Sequence, residues 1–421
     1  QGSILPEMVG SPPLYSVLPF LAMLLAIALL PLALSKWWES NRNKLLVAVA
    51  LGAPVLARYL AHEPGALVHT AADYVSFMVL LGALYVIAGG VLLRGDLEAR
   101  PLINTAFLAV GAVLASLIGT TGASMLLIRA LLQTNRERAR TTHTVVFFIF
   151  LVSNIGGMLT PLGDPPLFLG YLAGVPFAWT LRLWPFWLTM LGVLTAVYFI
   201  WDRIEYARET EARRRRDRTN IEPLSLQGSM NAVWLVGVVA AVAFLRAPFR
   251  EVVMLALAGL SLWRTPREIR RANGFTAHPM VEVAVLFFGI FLTMMPALEL
   301  LHRRGGELGV REPWQFFWAT GTLSSFLDNA PTYLVFLALA QGLELSVEVA
   351  GVPHTVLAAI SVGAVAMGAN TYIGNAPNFM VKAIAEEAGV SMPSFFGYMA
   401  YSGAVLIPLF VVVTLLFFSG G

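Results

Sequence analysis

The chain has no cysteine, and charge is scarce: only 13% of its 421 residues are Asp, Glu, Lys or Arg. The first absence excludes disulfides and thiolate metal sites, and says little about compartment. The second stands beside 57% hydrophobic residues and a mean hydropathy of +0.73, and it excludes a water-soluble globule, which has no core able to hide so much apolar surface. Long polar stretches are missing too, so no soluble domain is left over. What is present is a succession of apolar runs of roughly 17–25 residues, the length that crosses ~30 Å of hydrocarbon as helix. The chain therefore reads as an all-α polytopic membrane protein whose first partner is the lipid bilayer; nothing in it points to nucleic acid. Gln1-Gly2-Ser3 has the look of a cloning scar, and the first apolar run is too long for a signal peptide.

Ten crossing helices are predicted, at 14–35, 44–60, 73–93, 141–175 (interrupted), 178–201, 229–246, 250–263, 280–300, 354–388 (interrupted) and 394–418. Segments 102–132 and 313–341 need another explanation. As one helix the first would be about 46 Å long, too long to cross without a large tilt. Its middle, Gly119-Thr120-Thr121-Gly122-Ala123-Ser124, is a helix breaker. Arg94 and Arg100 precede it and Arg136, Arg138 and Arg140 follow, so the positive-inside rule puts both ends in the cytoplasm as a re-entrant hairpin. The basic run from Arg203 through Arg213-Arg214-Arg215-Arg216 to Arg218 should be cytoplasmic as well, which leaves both termini extracytoplasmic in a cell membrane, expected to be a bacterial inner membrane. Lys36, Arg42 and Lys44 agree with that count, as do Arg264, Arg267, Arg270 and Arg271; Arg303, Arg304 and Arg311 fall outside, against the rule.

Sliding the sequence by 211 positions aligns His143-Thr144-Val145 with His354-Thr355-Val356. The same offset places Thr160, Gly163, Asp164, Pro166 and Phe168 on Thr371, Gly374, Asn375, Pro377 and Phe379. Slightly smaller offsets bring the first hairpin onto 313–341 and Asp73 onto Glu282. Each copy holds five crossings and one hairpin, and an odd number turns the second copy upside down in the bilayer. The expected organisation is an extracytoplasmic segment 1–13, a first repeat 14–201, a basic linker 202–228 and a second repeat 229–418, with two re-entrant hairpins and two interrupted helices.

Gly163-Asp164-Pro165-Pro166 and Gly374-Asn375-Ala376-Pro377 cannot be continuous helix, because proline lacks an N–H and clashes with the preceding turn. A break at mid-membrane frees carbonyls on one half-helix and N–H groups on the other, and is tolerated only in protein or beside a wet cavity. Asp164 and Asn375 have two readings: caps of their second half-helices, or oxygen ligands of a cation. The tip of the second hairpin, Ser324 to Thr332, repeats the theme with Asp328 and Asn329, and Asp328 is the expected coupling carboxylate. Hydroxyls and amides near the breaks complete the candidate set: Thr121, Ser124, Ser153, Asn154, Thr160, Thr332, Asn370 and Thr371, with Gly163 and Gly374 at the turns. Helix packing is an equally good reading for Ser153, Asn154 and Asn370. His143 and His354 are expected at the membrane interfaces, and Asp73 and Glu282 near helix starts, where an acid suits the dipole.

The strings TTGAS, SNIGGMLTPLGDPP, SSFLDNAPT and GANTYIGNAPNFMVKAIAEE resemble the ion transporter superfamily, and within it the branch of sodium:proton antiporters and citrate transporters related to arsenite permeases. The likeness runs from about residue 70 to the end. It implies a homodimer with scaffold helices at 14–60 and 229–263 and transport parts at 73–201 and 280–418 that move as an elevator. Members that carry dicarboxylates place Ser-Asn-Thr at both hairpin tips, where this chain has Thr120-Thr121-Gly122 and Asp328-Asn329-Ala330. An acid there repels an anionic substrate and suits exchange of Na⁺ for H⁺; the Thr160-Pro161-Leu162-Gly163-Asp164 break is similar to one in antiporters, although the first tip has no acid. The expectation is a Na⁺/H⁺ antiporter with Na⁺ at Asp164 and Asp328 and no cofactor. The alternatives are cation-coupled symport of citrate or another small carboxylate, and an arsenite-type permease or anion channel. An enzyme is not expected, since no nucleophile–base pair or metal-ligand spacing occurs.

Overall fold

The computed structural model describes residues 12–219, 221–343 and 345–419. Most of the expected segment 1–13 lies outside them. Among the described residues eight helices are long and apolar enough to cross a membrane, and broken or shorter apolar helices supply the remaining passages. The fold is all-α and polytopic, with two helical hairpins and two interrupted helices as expected. Leu18–Ala33 and Asn41–His62 come first, and Pro64–Ala88 follows. This third helix starts nine residues before the predicted 73, because Pro64 at its first position needs no N–H partner there. Asp73 consequently sits in its third turn and not near a helix start. Glu282 is four residues inside His278–Arg304 and is bound by the buried Lys44 at 2.6 Å.

The first hairpin is Pro101–Ile118 and Thr120–Thr134, turning at Gly119 with φ +82°, a conformation that favours glycine. Its two ends are tied together: Leu97 N–H donates to Thr134 Oγ1 at 3.2 Å and Arg138 Nη1 to the Ala99 carbonyl at 3.2 Å. A short antiparallel pairing absent from the sequence reading, Leu92–Arg94 with Ser225–Gln227, fastens the basic linker to that base, so 92 and 93 are strand where helix was predicted. The second hairpin is Pro313–Ser324 and Asn329–Gln341.

The helix ending at Ala207 shows that the hairpins enter from opposite ends. Just before its first residue, Trp184, Trp179 Nε1 donates to His354 Nδ1 at 2.8 Å, beyond the loop that Gln341, at the base of the second hairpin, binds through the Ala350 carbonyl at 2.7 Å. The other end of the helix reaches the base of the first hairpin, where Arg138 meets Asp202 at 2.7 Å. His143, expected at the interface, is buried there instead, its Nε2 2.8 Å from Asp202 Oδ1. The carboxylate and the rings of Tyr198 and Trp201 replace the water it would otherwise find.

The interrupted helices form the core. Val145 to Val152 and Leu357 to Met367 are buried almost throughout, whereas Leu21, Leu25, Leu29, Val233 and Val236 on outer helices are exposed. That is the arrangement required when the solvent is hydrocarbon, since outer apolar side chains need no cover while broken backbone does.

Candidate functional site

Thr142–Leu151 ends in an irregular turn and restarts as Pro165–Leu172; His354–Met367 restarts as Ala376–Glu387. Asp164 and Asn375 occupy the position before each restart in extended conformation, φ −143° and −150°, yet neither side chain caps its helix. The capping reading is corrected by local chemistry. Pro166 and Pro377, two positions on, have no N–H to offer, and the next N–H groups, of Leu167 and Asn378, are taken by the backbone carbonyls of Asp164 and Asn375 at 3.1 Å each. Both side chains are therefore released into the protein interior. Asp328 does cap: its Oδ1 accepts from Ala330 N–H at 3.0 Å at the head of Asn329–Gln341.

Each break is pinned to its own hairpin tip by the same clasp. Ser116 Oγ donates to the Gly156 carbonyl while the Ser116 carbonyl accepts from Thr160 Oγ1. In the other repeat Ser325 Oγ donates to the Met367 carbonyl at 3.1 Å and the Ser325 carbonyl accepts from Thr371 Oγ1 at 2.5 Å. Gly163 and Gly374 sit so close to Gly157 and Gly368 that an added Cβ would lie 2.1 and 2.5 Å from their carbonyl oxygens. The internal repeat is thus visible atom by atom.

At the meeting point lies one carboxylate. Asp164 is 1% exposed; its Oδ1 accepts from Thr120 Oγ1 at 2.8 Å and Asn375 Nδ2 at 3.1 Å, and its Oδ2 from Asn329 Nδ2 at 2.6 Å. Both tips and the opposite break converge on it, and every donor is neutral. Asn375 Nδ2 also faces the Ser153 carbonyl at 3.1 Å and Asn154 Oδ1 at 3.3 Å. Asn154 Nδ2 donates to Asn378 Oδ1 at 2.7 Å, whose own amide holds the carbonyls of Gly368 and Thr371 at 2.9 Å each. Ser124 and Ser153 share a hydrogen bond of 2.8 Å, and Asn370 Nδ2 donates to Ser325 Oγ at 2.9 Å. Two buried oxygens, Asn329 Oδ1 and Asn370 Oδ1, accept no hydrogen bond among the described residues. Leaving such an acceptor bare costs about 1–3 kcal/mol, which marks both oxygens as candidate ligand positions.

The structure brings together most of the expected residues, with three exceptions, the first being Asp328, whose carboxylate is held at the head of its own helix by Ala330 N–H. Thr120, not Thr121, reaches Asp164, because the tips align at an offset of 209 and place Thr120 on Asn329. Thr332 bonds the Asp328 carbonyl of its own helix at 2.9 Å and does not join the cluster. Asn378 and Ser116 were missed. The repeat gave no signal for Asn378, since its counterpart at an offset of 211 is Leu167. Among the described residues no group of three or more His, Asp or Glu is disposed to hold a metal.

Two clasped, broken helices and two hairpins thus close on one buried carboxylate inside a multi-pass membrane protein, and the family it matches points to transport. The chain belongs to the family described as "Putative citrate transport", which matches residues 10–418. No curated protein matches it.

Proposed function

We propose that this secondary transporter exchanges Na⁺ for H⁺, with Asp164 as the ion-binding carboxylate and Asp328 as the second acid. The observation that carries the reading is the set of partners around Asp164: three neutral donors and no Lys or Arg among them. A buried charge without a countercharge is held most economically by a cation or a proton, and competition between these for one carboxylate is antiport. The unpartnered Asn329 and Asn370 oxygens supply further hard ligands. In the proposed cycle the hairpins and broken helices move as one elevator unit against the outer helices of a homodimer, in a cell membrane with the basic linker on the cytoplasmic side.

A second reading, cation-coupled symport of citrate or another small carboxylate, is favoured by the family's description. It would place the substrate at the N-termini of Pro165–Leu172 and Ala376–Glu387, whose dipoles favour an anion. Purified protein in liposomes with an internal pH dye separates the two. The antiport reading expects Na⁺-driven alkalinisation or acidification according to gradient direction, and no uptake of labelled citrate. Na⁺-dependent citrate uptake without exchange would replace it with the symport reading.

A further inference from the structure

Away from the Asp164 cluster, a cavity of about 110 Å³ opens between two sets of helices. Asn41–His62, Pro64–Ala88 and His278–Arg304 form one wall; the half-helix Pro165–Leu172 and the hairpin arm Asn329–Gln341 form the other. The lining is largely apolar, with Leu169, Phe291, Met294 and Leu337, and its one carboxylate is Asp73. No hydrogen bond or ion pair joins Asp73 to another described residue. His69 lines the cavity one turn earlier, and Arg250 acts on Asp73 from the neighbouring Phe249–Arg264. The Arg250 guanidinium is already committed: Nε and Nη2 bind Glu251 Oε1 at 2.9 and 2.5 Å, and the group lies over the rings of Phe168 and Tyr171.

We infer that this cavity binds a small amphipathic cation, a primary ammonium on a short alkyl chain, with the ammonium on Asp73 and the chain against the apolar wall. The chemistry follows from the lining. A carboxylate without a donor is the natural partner of an ammonium, which brings three, and it repels anions. The apolar wall gives a bare, strongly hydrated metal ion nothing in exchange for its water, whereas it rewards each buried methylene. Size sets the limit: a cavity of about 150 Å³ accommodates benzene, so the present one takes a chain of about four carbons. Because its walls come from two sets of helices, one of which carries Asp164 and Asn329, an occupant would brace them against each other. Binding itself does not depend on the antiport reading.

Titration calorimetry of the full chain in lipid nanodiscs with methyl-, ethyl-, propyl- and butylammonium tests the inference without any transport readout. Affinity should rise about fourfold per added methylene up to butyl, and 1-butanol should bind far more weakly than butylammonium. In Asp73→Asn the affinity for butylammonium should fall about tenfold or more, the loss expected for a charge-assisted hydrogen bond. Asp73→Glu, which keeps the charge, should keep the preference for the amine over the alcohol. A flat chain-length series, or butylammonium binding unchanged in a folded Asp73→Asn protein, would overturn it.

Discussion

Asn329, at the tip of the second hairpin, donates its side-chain amide to Asp164 Oδ2 across 2.6 Å, although 165 residues separate them in the chain. With Thr120 on the other oxygen, the carboxylate joins two hairpins that enter from opposite ends of the molecule. The ion-binding proposal and the local stability of the core therefore depend on the same atom pair.

Asp164→Asn tests both at once. An amide in place of one carboxylate oxygen confronts Asn329 or Thr120 and Asn375 with a donor where they need an acceptor. The variant should fold but lose about 1–3 kcal/mol, read as a lower thermal midpoint by tryptophan fluorescence in lipid nanodiscs. Na⁺-driven proton flux in liposomes should fall to the protein-free background. Wild-type flux from this variant would leave Asp164 a structural acceptor only.

Thr120→Val and Thr121→Val make a matched pair. The first removes the hydroxyl that bonds Asp164 and keeps the methyl group; the second removes a hydroxyl with no such role. Thr120→Val should cost about 1.5–3 kcal/mol and weaken Na⁺ dependence, while Thr121→Val stays near wild type. Equal effects would show that the tip register is not the one described.

Gly163→Ala should be severe. Its Cβ would lie 2.1 Å from the Gly157 carbonyl oxygen, both groups being backbone in a buried turn. Overpacking of this kind costs about 1–3 kcal/mol or more, and here no side chain can swing aside. Gly192→Ala, which meets nothing within 4 Å inside the helix Trp184–Ala207, is the control and should be neutral or slightly stabilising. Chromatographic homogeneity and thermal midpoint in detergent check both.

Asp217 gives a pH dependence outside the membrane. Burial raises its carboxyl from 3.8 to about 6, against the opposing hydrogen bond from Ala99 N–H at 3.0 Å; Glu137 and Glu98 add to the rise and Arg138 reduces it. The folded linker thus binds the proton more tightly than the unfolded chain does between about pH 4 and 6. Its contribution to stability is full below the unfolded value, falls as pH rises through that window and is constant above it. In Asp217→Asn the acceptor remains and the charge goes, so hydrogen exchange of the linker at pH 8 should be slower than in wild type, and the difference should vanish near pH 4. A difference that does not change with pH would refute the assignment.

Single cysteines introduced into the cysteine-free chain test the inverted arrangement. Arg100→Cys and Arg136→Cys, both at the base of the first hairpin, should react with an impermeant maleimide from one side of the membrane, and Arg311→Cys, before the second hairpin, from the other. Labelling of positions 100 and 136 from opposite faces would make Pro101–Thr134 a crossing.

The membrane class, the inverted duplication, both hairpins and the position of both breaks were legible in the sequence. Apolar run length, proline and glycine chemistry and a register of 211 act locally or by simple comparison, so they leave a linear trace. The choice between cap and ligand at Asp164 stayed open in the sequence because the decisive fact is which N–H groups remain free, and Pro166 and the Asp164 carbonyl settle that only when the turn is built. The choice of Thr120 over Thr121, the entry of Asn378 and the burial of His143 beneath Asp202 were decided by tertiary structure alone. Each depends on side chains brought within about 3 Å from segments far apart in sequence, and neither spacing nor propensity records which rotation of a packed helix will place one hydroxyl rather than its neighbour on a buried carboxylate.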